Sequence, residues 1–342
     1  MEKYIFILGR DPELSILELK SYLKSREIKH NILESTKEIL LIELPALDFK
    51  KMIKDLGGIV KIGKTNFKHF YDGSKKKILY GINNYSYKQI DIRDKFEEEG
   101  VKAYLNAKGR ISPSKSLNLD EEFIIFKNHI AKVVAVFNPK DYKKRDKRPH
   151  LDPLRVSSIR LSKILINLSG AKEGSLLLDP FCGLGTILQE ALLMNIDVIG
   201  IEKDKVIANK CKENLEWIKK KGWEVIDGDS ESLSRYIKQA DCVATEPYLG
   251  PFLKNYPSEE NAKRTARFLE EIYTNVLRQL KKVVKGRIAI ITPWFRTKNR
   301  KDIKINFRNI LRKTGFEPLP QYPINYGEES LVKREIWVIE RS

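Results

Sequence analysis

Two hydrophobic rhythms divide the chain. In the first 85 residues the apolar runs are short and separated by charge. Tyr4 to Leu8 reads as a strand, and Leu14, Leu17, Leu19, Tyr22 and Leu23 recur at helical spacing behind Asp11 and Pro12, a helix-opening pair. Ile39 to Leu44, stopped by Pro45, reads as a strand; Asp48 to Leu56 reads as a short helix and Ile59 to Ile62 as another strand. This βαβαβ order predicts a small α+β, ferredoxin-like unit over residues 1–85. Residues 86–138 form a second unit, with a helical stretch Ile90 to Glu99, a turn at Gly109, and strands at Phe123 to Phe126 and Val133 to Phe137.

The second rhythm begins after NPKDYKKRDKRPHLDP, a proline-punctuated basic segment that places a linker at 139–153. A helix from Val156 to Leu168 leads into a regular β and α alternation. Strands are predicted at Ser175 to Leu178, Asp197 to Ile201, Glu224 to Ile226, Cys242 to Ala244 and Arg287 to Ile291. Helices at Ile187 to Met194, Lys205 to Ile218, Leu233 to Lys238 and Glu259 to Val284 fill the gaps. Apolar strands alternating with amphipathic helices require a parallel sheet covered on both faces. The tail breaks the pattern: a helix around Asp302 to Lys313, Pro318, Pro320 and Pro323, then a final strand at Glu335 to Ile339, which predicts a late antiparallel hairpin on the sheet.

Composition changes this picture in two ways. The 64 Lys and Arg against 46 Asp and Glu give a net charge of +18 over 342 residues, spread over both halves, which points to a polyanionic partner or to a solvated lysine-rich surface. The absence of any run of 18 uncharged apolar residues, and of a signal-peptide core after Lys3, predicts a cytoplasmic protein without membrane attachment. Cys182, Cys211 and Cys242 have no CxxC spacing and read as packed thiols, with no metal site expected.

The chemistry concentrates at the strand ends of the second half. Asp179-Pro180-Phe181-Cys182-Gly183-Leu184-Gly185-Thr186 joins a buried strand to a helix, and Gly183 and Gly185 let backbone approach a ligand there. Leu188 stands where a dinucleotide fingerprint needs glycine, and no Gly-Lys-Ser/Thr follows. An acid at the head of the loop repels a pyrophosphate but suits a ligand with a cationic amino acid end and a sulfonium, such as S-adenosyl-L-methionine. Glu202, with Asp204 behind it, ends the next strand where a carboxylate can accept from both ribose hydroxyls. Asp229, preferred to Asp227, follows the third strand where it can accept from an adenine amino group. Each acid alone reads more readily as a helix cap than as a ligand contact; three in register along consecutive strands reverse that preference. The fourth strand ends in Thr245-Glu246-Pro247-Tyr248-Leu249-Gly250-Pro251. That segment is either a plain turn or a device that holds an exocyclic amine by the Glu246 carboxylate and Pro247 carbonyl while Tyr248 stacks on the base.

These loops resemble those of class I S-adenosylmethionine-dependent methyltransferases that modify an exocyclic amine. YIFILGRDPELSILEL, GRISPSKSLNL, AKVVAVFNPKDYKKRD and RPHLDPL before SKILINLSG narrow the resemblance to the THUMP-domain tRNA guanosine-N2 methyltransferases acting at position 10. The resemblance implies a Rossmann-like catalytic domain over 154–342 preceded by the ferredoxin-like domain and a THUMP RNA-binding domain over 86–138. It implies tRNA as partner, and some relatives need a small activator subunit. Asp179, Gly183 and Gly185, with Phe181 and Thr186 in the same loop, match the cofactor loop; Glu202 matches the ribose acid, Asp229 the adenine acid, and Glu246, Pro247 and Tyr248 the catalytic turn. The family's usual turn is Asp-Pro-Pro-Tyr-Gly, so Glu246 replaces an Asp in a gapless match, whereas a shifted match leaves Thr245 in the acid's place. Lys143, Lys144, Arg145, Lys147 and Arg148 are candidate tRNA contacts in a phosphate-tracking strip, or form a solvated hinge; Lys75 to Lys77 read as an exposed turn. Methylation of another exocyclic amine, such as adenine N6, and a catalytically silent RNA-binding protein are the alternatives.

Overall fold

A computed structural model describes residues 1–87, 90–152, 158–327 and 330–342, which divide into two compact units, Met1–Lys147 and Arg148–Ser342.

In the first unit, β1 (Glu2–Leu8), α1 (Pro12–Ser25), β2 (Asn31–Ser35), β3 (Ile39–Leu44), α2 (Phe49–Asp55) and β4 (Ile59–Lys64) come first. They are followed by β5 (Lys77–Asn84), α3 (Arg93–Glu98), β6 (Lys102–Gly109), α4 (Pro113–Ser116), β7 (Glu121–Phe126), β8 (His129–Val136) and α5 (Pro139–Arg145). The sheet order is β2-β3-β1-β4-β8-β7-β5-β6. β1 is buried on both faces, Tyr4 and Phe6 in one apolar cluster and Ile5 and Ile7 in another, which explains its unbroken apolar run. Its antiparallel pairing with both β3 and β4 gives the ferredoxin-like strand order β2-β3-β1-β4, with six elements rather than the expected five because β2 adds an edge strand.

The structure shifts the expected division at residue 85. β5, Lys77–Asn84, pairs with β6 and β7 and so belongs with the later elements, and β4–β8 pairing carries one sheet through the whole unit. A buried polar node fastens that seam: Lys61 Nζ of β4 donates to the Glu122 carboxylate, to Asn83 Oδ1 at 3.2 Å and to the Ile111 carbonyl at 2.8 Å. The expected linker 139–153 is also partly structured, since α5 begins at Pro139 with Asn138 as its cap, and the Tyr142 ring meets Phe137 edge-on at 4.6 Å.

In the second unit, α6 (Ile159–Leu168), β9 (Leu176–Asp179), α7 (Thr186–Leu193), β10 (Asp197–Glu202), α8 (Lys205–Ile218) and β11 (Trp223–Asp227) come first. A 3₁₀ turn (Ser230–Arg235), β12 (Cys242–Thr245), α9 (Glu259–Val283), β13 (Ile288–Arg296), β14 (Asp302–Lys304), α10 (Phe307–Thr314), β15 (Phe316–Pro318), β16 (Ile324–Tyr326) and β17 (Val332–Arg341) complete it. The predicted start of the first helix, Val156, lies outside the described residues. The predicted helix at Asp302 to Lys313 is shorter: its first residues form β14, and α10 starts after the Asn306 cap. The main path of the sheet runs β11-β10-β9-β12-β13-β17-β15, parallel from β11 to β13, with β17 antiparallel between β13 and β15. Chain order reverses between β9 and β12, so a crevice opens at the carboxyl ends of those two strands.

Candidate active site

Strand register decides which side chains share that edge. Asp179 lies level with Gly200, so Glu202 stands two residues beyond it, paired with Asp227. On the other side Leu178 is level with Val243, which carries Thr245 and Glu246 past the end of β9. The sequence-predicted acids Asp179, Glu202 and Glu246 therefore come to one edge of the sheet.

Asp179 is only 2% exposed. Its Oδ1 accepts from Thr245 Oγ1 at 2.7 Å and from the Phe181 backbone N–H at 3.1 Å. Burial pushes its carboxyl up to about 7; those two hydrogen bonds oppose the shift, and the charges of Glu202 and Glu246 add to it. No side-chain cation contacts it among the described residues. Glu202 is half-buried and organises the loop: Oε2 accepts from the Gly183 N–H at 3.1 Å and Oε1 from the Asp204 N–H at 2.9 Å. Gly183 and Gly185 adopt φ of 51° and 83°, and a Cβ on Gly185 would lie 2.6 Å from Cys211 Sγ. Thr186 opens α7 and is buried, while Phe181 packs on the core beneath the loop. Cys182 and Cys211 are packed thiols with sulfurs 4.0 Å apart.

Two acids also serve as caps. Asp204 accepts from Val206 and Ile207 and so opens α8. Asp229 accepts from the Glu231 N–H at 3.0 Å and pairs with exposed Lys203 at 2.7 Å, which with this cap holds its carboxyl below the ordinary range. The adjoining Ser230 hydroxyl donates to the Pro180 carbonyl, tying the turn after β11 to the loop after β9.

At the turn after β12, Thr245 is fully buried with its hydroxyl spent on Asp179, leaving Glu246 as the acid at the strand tip. Glu246 Oε1 accepts from Arg334 Nε at 2.8 Å, and its side chain is 10% exposed. Pro247 is buried, Tyr248 is exposed, and Tyr273 Oη of α9 donates to the Tyr248 carbonyl at 2.8 Å. Sequence reasoning missed Arg334, Tyr273 and the bond from Thr245 to Asp179. Arg334 lies opposite Pro293 in the β13–β17 pairing, a neighbour that only the insertion of β17 beside β13 creates.

The basic strip divides. Lys143, Lys144 and Lys147 are exposed and Arg145 is half-buried against α5. Arg148 differs from the others: it is 5% exposed, so its guanidinium is not on the solvent side with the three lysines.

The family profile described as RMKL-like, methyltransferase domain matches residues 145–301, and one described as DNA methylase matches residues 63–213. The tRNA (guanine(10)-N2)-dimethyltransferase of Methanothermobacter thermautotrophicus is 26% identical over 298 residues, 81% of this chain and 86% of the relative. A protein of Methanothermococcus thermolithotrophicus named probable tRNA (guanine(10)-N2)-dimethyltransferase is 33% identical over 130 residues, 36% of this chain and 74% of that relative. The chain belongs to the tRNA (guanine(10)-N2)-dimethyltransferase family. As a tRNA (guanine(10)-N2)-dimethyltransferase family member it also shares its fold with solved structures. TrmN from Thermus thermophilus superposes with a TM-score of 0.53 at 13% identity, covering 99% of this chain and 100% of that one. A possible methylase from Clostridium difficile 630 gives 0.51 at 13% identity, covering 100% and 98%.

Proposed function

We propose that this chain transfers methyl groups from S-adenosyl-L-methionine to the exocyclic N2 amine of guanosine at position 10 of tRNA. The observation that carries the reading is the switch point itself, where a buried carboxylate without a contacting cation is joined through Thr245 to the strand that ends in Glu246. Burying an uncompensated carboxylate is costly, so Asp179 suits a cationic ligand that supplies the missing charge. Glu202, already braced by two backbone N–H groups, has lone pairs left for ribose hydroxyls. Asp229 reaches adenine by displacing Lys203, an exposed and weakly held partner.

When bound, the cofactor supplies an electrophilic methyl on a sulfonium that departs as a neutral thioether. Glu246 and the Pro247 carbonyl accept the amine hydrogens and aim the nitrogen, and the Tyr248 ring covers the base. The N2 proton leaves after the N–C bond forms, to Glu246 or water, so positioning dominates over general base catalysis. A second transfer needs only one of the two acceptors, in keeping with the dimethyl product in the relatives' names. The first unit, with its THUMP part built on β5 to β8, grips the tRNA, and Lys143, Lys144 and Lys147 meet its phosphates. Among the described residues no helix is long and apolar enough to cross a membrane, and a tRNA substrate is met in the cytoplasm.

The test is methyl transfer from labelled cofactor to bulk tRNA, followed by nucleoside digestion. Label in N2-methylguanosine and N2,N2-dimethylguanosine supports the reading. Label in N6-methyladenosine, the product a DNA-methylase-like reading of residues 63–213 favours, or in no nucleoside, overturns it.

A further inference from the structure

Beyond Pro247 the chain runs through a segment that keeps its aromatic side chains outside. Tyr248, Phe252 and Tyr256 are 48%, 68% and 45% exposed, although large rings ordinarily contribute most when buried. Looseness does not explain this. Tyr273 fastens the Tyr248 carbonyl, Leu253 packs against the core, and the Lys298 N–H donates to the Pro257 carbonyl at 3.0 Å. Gly250, with φ of 102°, lies so close to α9 that a Cβ there would stand 2.9 Å from Thr265 Cγ2. Thr265, Leu269 and Tyr273 recur every four residues and share one face of α9, so the segment runs back along that helix. The neighbouring stripe of α9 carries exposed Arg264 and Phe268. Neither Arg264 nor Lys254 has a carboxylate partner among the described residues.

We infer that Phe252 and Tyr256, with Lys254 in the same segment and Arg264 on the adjoining stripe of α9, form a stacking platform for the unpaired nucleotides that adjoin the target guanosine. This rests on the proposed tRNA activity and extends its site. Bringing N2 to Glu246 requires the target base to leave its stack, which strips its neighbours of one stacking partner. Exposed rings accept those bare faces regardless of sequence, and the cations meet the phosphates between them. Aromatic rings interleaved with cations that no carboxylate neutralises, continuous with the turn after β12, suit a single-stranded polyanion, whose bases stack and whose phosphates need positive charge.

The experiment compares the full-length wild type with the Phe252→Ala/Tyr256→Ala double variant and with Phe252→Trp. The double variant is expected to raise KM for tRNA about tenfold or more, with the S-adenosylmethionine dissociation constant unchanged. Phe252→Trp is expected to show tRNA-dependent fluorescence quenching beyond that of the wild type. A KM within twofold of wild type, or no added quenching, overturns the platform, including the case in which the surface serves a protein partner. The fluorescence arm reports RNA contact whether or not methyl is transferred. Loss of this inference is therefore distinguishable from failure of the tRNA activity, which the wild-type transfer assay reads.

Discussion

Asp179 makes the site sensitive to pH in a direction that follows from its burial. Its folded carboxyl titrates near 7, above the ordinary 3.8, so the folded protein holds an extra proton between those values. Stability contributed by the neutral form is present at the acid end of that window and declines as pH rises through about 7. A cationic ligand prefers the ionised form. The affinity for S-adenosylmethionine should therefore increase by up to about tenfold per pH unit from pH 5 to 7 and level off above, as read by equilibrium dialysis. Asp179→Asn should bind weakly with a flat profile; a wild-type curve without slope would remove Asp179 from the ligand. Glu246→Ala should abolish transfer while leaving the cofactor dissociation constant nearly intact, because the role proposed for the carboxylate that Arg334 holds is toward the amine. Unchanged turnover would strip it of its role. Glu202→Ala removes the acceptor of two backbone N–H groups and the proposed ribose contact, so cofactor binding should weaken about tenfold or more.

At the scale of elements, the loop between β9 and α7 is shaped by what it cannot contain. Gly185→Ala meets two penalties, a left-handed φ and a Cβ 2.6 Å from Cys211 Sγ, and should cost about 2–4 kcal/mol in denaturant unfolding. Adding Cys211→Ala should recover the steric penalty and leave the backbone one, about 1 kcal/mol. The loop was legible in the sequence because strand, glycines and helix follow one another locally. β2 and β6 were not. Both are edge strands, and β6 buries little beyond Ala103 and Ala107, so no apolar alternation announces it. Asp204 shows the reverse limit: an acid after a strand looks the same in sequence whether it holds a ligand or caps α8. Arg334 lies 88 residues from the carboxylate it holds, and local periodicity carries no information about a neighbour across the sheet.

For the whole molecule, a net charge of +18 makes tRNA affinity strongly dependent on salt. Replacing Lys143, Lys144 and Lys147 with alanine should reduce the log–log salt slope by roughly 0.7–0.9 for each phosphate left without its lysine. Arg148→Ala should instead lower the melting temperature and leave the slope alone, since its side chain is buried. A slope unmoved by the triple variant would relocate the tRNA grip. The placement of β17 has a consequence for biosynthesis. A ribosome delivers Asp179, Glu202 and Glu246 well before the strand bearing Arg334, which then docks between β13 and β15. A nascent chain can thus bring these three carboxylates together while Glu246 still lacks its arginine, so that ion pair forms only once β17 has emerged.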